Sequence, residues 1–233
     1  MNMSKAKLPD YEYILNLSRE NHAAMVAQGF WDNPTTFRTK LALVRGELYE
    51  AIEAYRRGPR RATMLVPIES SKEQFVAAYK ANIVGTIEEE IADTVIRLSD
   101  TYGAFLPDAP QKSSSFNWLT SEYKEPFAHL MGEPLEGTTS EEVFDNIYSE
   151  ERMKVFRLWA GEQNATFIDV VDRVVEEMFN AMYWDFESMK LMVVECIVLV
   201  CQLAYAYDID LIAHIEMKRR YNTSRPYKHG KIV

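Results

Sequence analysis

The sequence is poor in residues that staple or punctuate a chain. Its 233 residues include only two cysteines, nine glycines and nine prolines. Two cysteines exclude a disulfide framework, and Cys196 and Cys201, within one apolar run, match no zinc spacing. Both read as buried thiols. The scarcity of glycine and proline disfavours a many-turned β-sandwich and suits helices. Net positive charge is also absent: 26 Lys and Arg face 35 Asp and Glu, a formal charge of −9. That disfavours a nucleic acid duplex as partner. A single nucleotide with a bound metal remains compatible, because the cation reverses the local field. The longest apolar stretch, Leu191 to Tyr207, is broken by Glu195 and Gln202 and is shorter than a typical membrane span. The opening MNMSKAKLPD has no apolar signal segment. These absences predict a soluble, cytoplasmic chain with no membrane partner.

What is present is helical periodicity. Asp10 to Gln28 reads as a first helix with Asp10 as N-cap, and GFWDNP breaks the chain after it. Thr36 to Arg57 carries Leu41, Val44, Leu48, Ala51, Ile52 and Tyr55 on a helical stripe, and Gly58-Pro59 ends it. Arg60 to Ser71 reads as a loop and Lys72 to Tyr79 as a short helix. Thr86 to Tyr102 reads as another helix, with Gly103 as its stop. Leu106 to Thr139 is rich in Pro, Ser and Gly and reads as an irregular excursion. Helical pattern returns over Ser140–Trp159, Asn164–Met182, Glu187–Tyr207 and Asp210–Tyr221. No segment alternates like a strand, so the predicted fold class is all-α. The organisation splits into 1–105, an insertion 106–163 and a terminal part 164–233, as separate segments or as one compact domain.

Two of these helices carry paired acids. Glu47 and Glu50 stand at i, i+3 in RGELYEAIE, and Glu90 and Asp93 stand at i, i+3 in EEEIAD. Each pair faces one way, one helical turn apart. Either pair alone is common on a solvated helix face. If the two helices pack side by side, four carboxylates converge, and like charges that close repel unless a cation lies between them. Oxygen-only ligands select a hard ion such as Mg²⁺, with Mn²⁺ as its mimic. A di-iron carboxylate bundle is a rival that wants Glu-x-x-His. None of His22, His129, His214 and His229 has Glu three residues before it.

Four segments in order, GFWD, LALVRGELYEAIEAYRRG, EEEIADTVIRLSD and DIDLIAHIEMKRRYNTSRPYKHGK, resemble the MazG-like proteins. That family belongs to the all-α nucleoside triphosphate pyrophosphohydrolases and is related to the dimeric dUTPases. The tail is similar to the family's ending at Lys218, Asn222, Arg225, Pro226, His229, Gly230 and Lys231. The resemblance spans residues 20–58, 86–103 and 207–231. It implies a helical bundle that cleaves the bond between the α and β phosphates, giving a nucleoside monophosphate and pyrophosphate, in pool sanitation or dUTP/dCTP control. It implies Glu47, Glu50, Glu90 and Asp93 as Mg²⁺ ligands and catalytic acids, one of them acting as base toward water. Lys218, Asn222 and Arg225 would then meet the triphosphate. Weaker candidates are Glu53 beside the ligands, His229 and Lys231 in the tail, and Trp31. With Phe30, Trp31 either stacks on a base or packs as a helix staple. Without the resemblance, a merely solvated basic C-terminus explains the tail equally. The rival function is a non-catalytic nucleotide sensor or helical interaction protein that keeps the fold.

The chain departs from short family members in two places, at residues 104–206 and between Pro59 and Gly85. The first departure resembles a decayed second copy. VRGELYEAI (44–52) lies on VVEEMFNAM (174–182) without a gap, placing Glu47 on Glu177 and Glu50 on Asn180. EIADTVIRLSDTY (90–102) lies on ECIVLVCQLAYAY (195–207), placing Glu90 on Glu195 but Asp93 on Val198. Chance similarity between amphipathic helices is the alternative. A duplication predicts a pseudo-dimer within one chain and one surviving acid site; otherwise a homodimer supplies the missing helix faces.

Overall fold

A computed structural model of the chain describes residues 8–33, 35–58, 61–62, 64–109, 139–147, 153–154, 156–157, 166–180 and 186–226. Among the described residues there are eight α-helices and no β-strand, so the protein is all-α. They are α1 (Tyr11–Ala27), α2 (Phe37–Arg56), α3 (Lys72–Asn82), α4 (Ile87–Gly103), α5 (Ser140–Ile147), α6 (Phe167–Asn180), α7 (Phe186–Ala206) and α8 (Leu211–Thr223).

The helix starts follow local chemistry. The side chains of Asp10, Thr36, Thr86 and Asp210 each accept a hydrogen bond from a backbone N–H in the first turn, satisfying a donor that the helix leaves open. Ser71 and Gln74 form a reciprocal capping box on α3. This strong start lets α3 run to Asn82, three residues past the predicted end. Phe75, Tyr79 and Ile83 hold that last turn by burying themselves with Val66 and Met217 in a small second cluster.

α4 is the centre of the molecule. It packs against α1, α2, α7 and α8, and fifteen of its seventeen residues are buried. Around it one continuous apolar core joins residues from α1 through Ile215 in α8, so the first and last parts of the sequence share that core. α7 holds an apolar window, Met189–Ala206, of which 67% is buried, as the interrupted run predicts. Cys196 and Cys201 are buried free thiols. Most of the predicted irregular excursion lies outside the described residues, and of the helix predicted over Ser140–Trp159 only 140–147, 153–154 and 156–157, all helical, are described.

α2 packs on α4, α6 packs on α7, and across the two pairs α2 meets α6 while α4 meets α7. The side chains of Glu177 and Asn180 lie outside the described residues. Val198, laid on Asp93 in the sequence comparison, is fully buried in the core.

Gly103 differs from its predicted role. It does not stop α4 from outside but forms its last residue, and Ala104 caps the helix. Its lack of a side chain serves packing. A Cβ there would lie 2.4 Å from both His22 Cβ and the Ser18 carbonyl oxygen. One of these partners is backbone, so α1 itself would have to move. Gly103→Ala is expected to destabilise the protein by about 1–3 kcal/mol, measured by urea or thermal unfolding.

Candidate metal centre

The acids of α4 sit where a helix tolerates them best. Glu88, Glu89 and Glu90 occupy its first turn, where unpaired N–H groups and the helix dipole favour negative charge. All three are nevertheless buried, so each needs a partner or must give up its charge.

Glu88 and Glu89 have partners. The Arg61 guanidinium and the Ala62 backbone N–H both donate to Glu88. Arg61 also donates to the Tyr207 carbonyl at 2.9 Å, so this pair ties the α3-side loop to the end of α7. Glu89 accepts from the Tyr79 hydroxyl at 3.1 Å, from the Gly85 N–H and from Lys218 Nζ at 2.8 Å. Gly85 has φ +71°, a conformation that favours glycine and turns its N–H toward the carboxylate. Lys218 also pairs with Asp93 Oδ2 at 3.1 Å. Burial alone would lower its pKa, but Asp93 and Glu89 override that and hold it above its ordinary value.

Glu90 differs. No hydrogen bond or ion pair from the described residues reaches its carboxylate, though it is only 7% exposed. One oxygen from each of Glu47, Glu50 and Glu90 lies within 4.8 Å of the other two. Burial, and next the neighbouring Glu89, push the Glu90 carboxyl up to about 8 against the opposing pull of Lys218. Glu47 is also raised, first by burial and then by Asp93, while Arg97 opposes the rise and donates to Glu47 Oε1. Glu47 and Glu90 are buried and Glu50 is exposed, so the trio opens to solvent on the α2 side.

The predicted acids thus meet unequally. α2 and α4 pack side by side as expected, and Glu47, Glu50 and Glu90 converge. Asp93 stands beside them with an oxygen on Lys218. Glu53 is exposed and pairs with Arg56 at 2.8 Å, on the outer face of α2. Lys218 is buried between two carboxylates. These contacts use two of its three N–H donors, so a direct phosphate contact, as the tail motif implies, would use the third. Asn222 is buried, and its Oδ1 has no partner. Arg225 lies beyond α8 and lines a 410 Å³ cleft with Lys72, Lys80 and Tyr221. His229 and Lys231 lie outside the described residues.

Trp31 is 1% exposed, which corrects the base-stacking alternative. Its indole N–H donates to Asp100 Oδ1 at 2.9 Å, and Lys40 Nζ lies 3.6 Å from the ring centroid. It packs, as the staple reading has it. Asp100 also binds His22 Nδ1 at 2.9 Å and Lys40 Nζ at 3.1 Å. Burial would raise its pKa, but Lys40 and then His22 hold it below the usual range.

The sequence reasoning missed Glu89 and Arg97. Arg97 follows Asp93 by four residues and Glu90 by seven, so it lies on their helix face; that spacing was the available signal. Glu89 was hidden in a run of three acids.

The donor set fits a hard divalent cation. The acids are all oxygen ligands, and no cation among the described residues forms an ion pair with the buried Glu90. In the unfolded chain Glu90 ionises at an ordinary acidic pH. From there to about 8 the folded protein keeps a proton that the unfolded chain has released, so this group makes metal-free stability fall as pH rises. Metal binding must displace that proton. Mn²⁺ affinity, measured by calorimetry, is therefore expected to rise from about pH 6 to about pH 8 with net proton release, and Glu90→Gln should reduce both effects, Glu47 supplying the remainder. A second expectation concerns Lys218. Lys218→Met leaves buried Glu89 and half-buried Asp93 without their shared cation and should cost about 3–5 kcal/mol, read from chemical unfolding.

No family model, no curated protein and no solved structure matches this chain.

Proposed function

We propose that this chain is a divalent-cation-dependent nucleoside triphosphate pyrophosphohydrolase. The observation that carries the reading is the convergence of Glu47, Glu50 and Glu90 from two packed helices, with no hydrogen bond or ion pair to the buried Glu90 carboxylate among the described residues. In that arrangement the carboxylates repel once Glu90 loses its proton, and a divalent cation would offset that repulsion. The resemblance of four ordered segments to the MazG-like proteins supplies the substrate class. The pairing of α2–α4 with α6–α7 supports an internal duplication with one acid site retained.

Glu47, Glu50 and Glu90 would hold Mg²⁺, with Mn²⁺ as a substitute. When bound, such an ion neutralises phosphate oxygens and lowers the pKa of a coordinated water. The chain's own residues do the rest. Arg97 fixes one oxygen of Glu47, restricting the rotation of a ligand. Lys218 fixes Asp93 beside the trio and keeps α8 seated on α4. Glu50, exposed, faces incoming substrate. Arg225, with Lys72 and Lys80, offers positive charge to phosphate oxygens at the cleft. Water adds to the α phosphorus, the bond to the bridging oxygen breaks, and nucleoside monophosphate and pyrophosphate leave.

The test is pyrophosphate release from a panel of ribo- and deoxyribonucleoside triphosphates with Mg²⁺ or Mn²⁺. Turnover of at least one is expected. Glu50→Gln should lower kcat/KM by about a hundredfold or more with helical content unchanged, because Glu50 is exposed and supports no packing. No turnover of any nucleotide rejects the enzyme, and binding without turnover assigns a nucleotide sensor instead.

A further inference from the structure

α2 contains a glycine that its own packing does not require. Gly46 lies inside the helix, where glycine is less favourable than alanine. A Cβ built there meets no atom within 4 Å, in contrast to Gly103. Its φ is not positive, so backbone conformation does not demand glycine either. Its neighbours on the helix surface are the residues three and four positions away. These are Ala42, Leu43, Tyr49 and Glu50, and all four are exposed. Leu43 is 46% and Tyr49 50% exposed, among the few large hydrophobics left in solvent. Glu50 is the open member of the acid trio. Together they leave bare helix backbone between two exposed apolar side chains, a notch in the side-chain layer of α2. Its floor is bare helix backbone, its walls are Leu43 and Tyr49, and its rim is the carboxylate through which the trio meets solvent.

We propose that this notch receives the nucleobase of the substrate, with Gly46 permitting the ring to approach the helix and Leu43 and Tyr49 gripping its face and edge. The inference rests on the reading of the trio as a triphosphate centre and adds where the nucleoside lies. A base presents a flat π-face that gains from aromatic contact whatever its hydrogen-bond pattern. A side chain at position 46 would hold the ring away from the helix. Ala42, Leu43 and Gly46 offer no side-chain donor or acceptor, and the polar groups are the Tyr49 hydroxyl and the Glu50 carboxylate at its edge, so the notch selects chiefly by stacking and shape and tolerates more than one base. A second copy of the chain is the poorer occupant. A few exposed side chains fall far short of the roughly 800 Å² per partner of a stable interface. A symmetric contact there would also bring the Glu50 and Glu53 carboxylates of two copies together.

The experiment compares inorganic tripolyphosphate with nucleoside triphosphates, by calorimetry in the presence of Mn²⁺. The proteins are the wild type, Gly46→Leu and Tyr49→Ala. The wild type should bind a nucleoside triphosphate about tenfold or more tightly than tripolyphosphate. Gly46→Leu should erase that preference while tripolyphosphate and Mn²⁺ affinities stay within about twofold, and Tyr49→Ala should reduce it. If the wild type binds both ligands equally, or if Gly46→Leu keeps the preference, the notch is rejected and the triphosphate reading stands. If neither ligand binds, both readings fall. Sedimentation of the same variants covers the remaining outcome. A wild-type dimer that Gly46→Leu dissociates, with nucleotide preference intact, assigns the face to a second copy and overturns the proposal.

Discussion

The cost of burying ionised carboxylates at the start of α4 governs how this protein is put together. Charge in a protein interior must be paired, hydrogen-bonded or surrendered. The three consecutive glutamates meet that demand in three ways. Glu88 takes an arginine and a backbone N–H from the loop before α3. Glu89 takes a tyrosine, a glycine N–H and a lysine. Glu90 takes none of these and is left facing Glu47 and Glu50. The first two solutions recruit distant chain segments and so are architectural. The third surrenders its charge, keeping a proton up to about pH 8 that a bound cation would displace.

The distribution of cations follows from this. Lys218 and Arg97 flank the trio without entering it, each engaged by a carboxylate. They limit repulsion enough for the helices to pack, yet they leave three oxygens exposed to one another. The second buried network, around Asp100, is closed by comparison. Its carboxylate takes His22, Trp31 and Lys40 and holds α1, the following turn, α2 and α4 together. The same helix thus carries a satisfied acid near its C-terminal end and an unsatisfied one near its N-terminal end. Nearly three turns separate the two.

The helices were legible because their signals are local. Asp10, Thr36, Ser71, Thr86 and Asp210 cap helices whose apolar stripes start where the caps predict. The pairing of the acid helices was only conditional in the sequence, because an acid pair bordering an apolar face also suits solvent, and it is the packing of α2 on α4 that brings the pairs together. What escaped is what depends on contacts across the chain. Spacing alone does not say which of three adjacent glutamates turns inward to a lysine 129 positions later. Gly103 read as a stop because a glycine at a helix end commonly is one, whereas the decisive neighbour was Ser18 on another helix. Lys218 read as a phosphate ligand from its place in a motif, but its burial depends on how α8 crosses α4. Trp31 was ambiguous because a buried and a stacking tryptophan have the same local sequence.

The Lys218 contact also fixes an order of events during synthesis. The acids of α2 and α4 leave the ribosome long before α8 does. Until residue 218 emerges, Glu89 and Asp93 lack the cation they are paired with in the folded protein. An unfinished chain therefore carries a concentrated negative patch that resists compaction of α4 against its neighbours. Electrostatic neutralisation arrives with the last helix, so the centre is assembled late, and a chain that stalls before that point lacks the buried cation of the finished site.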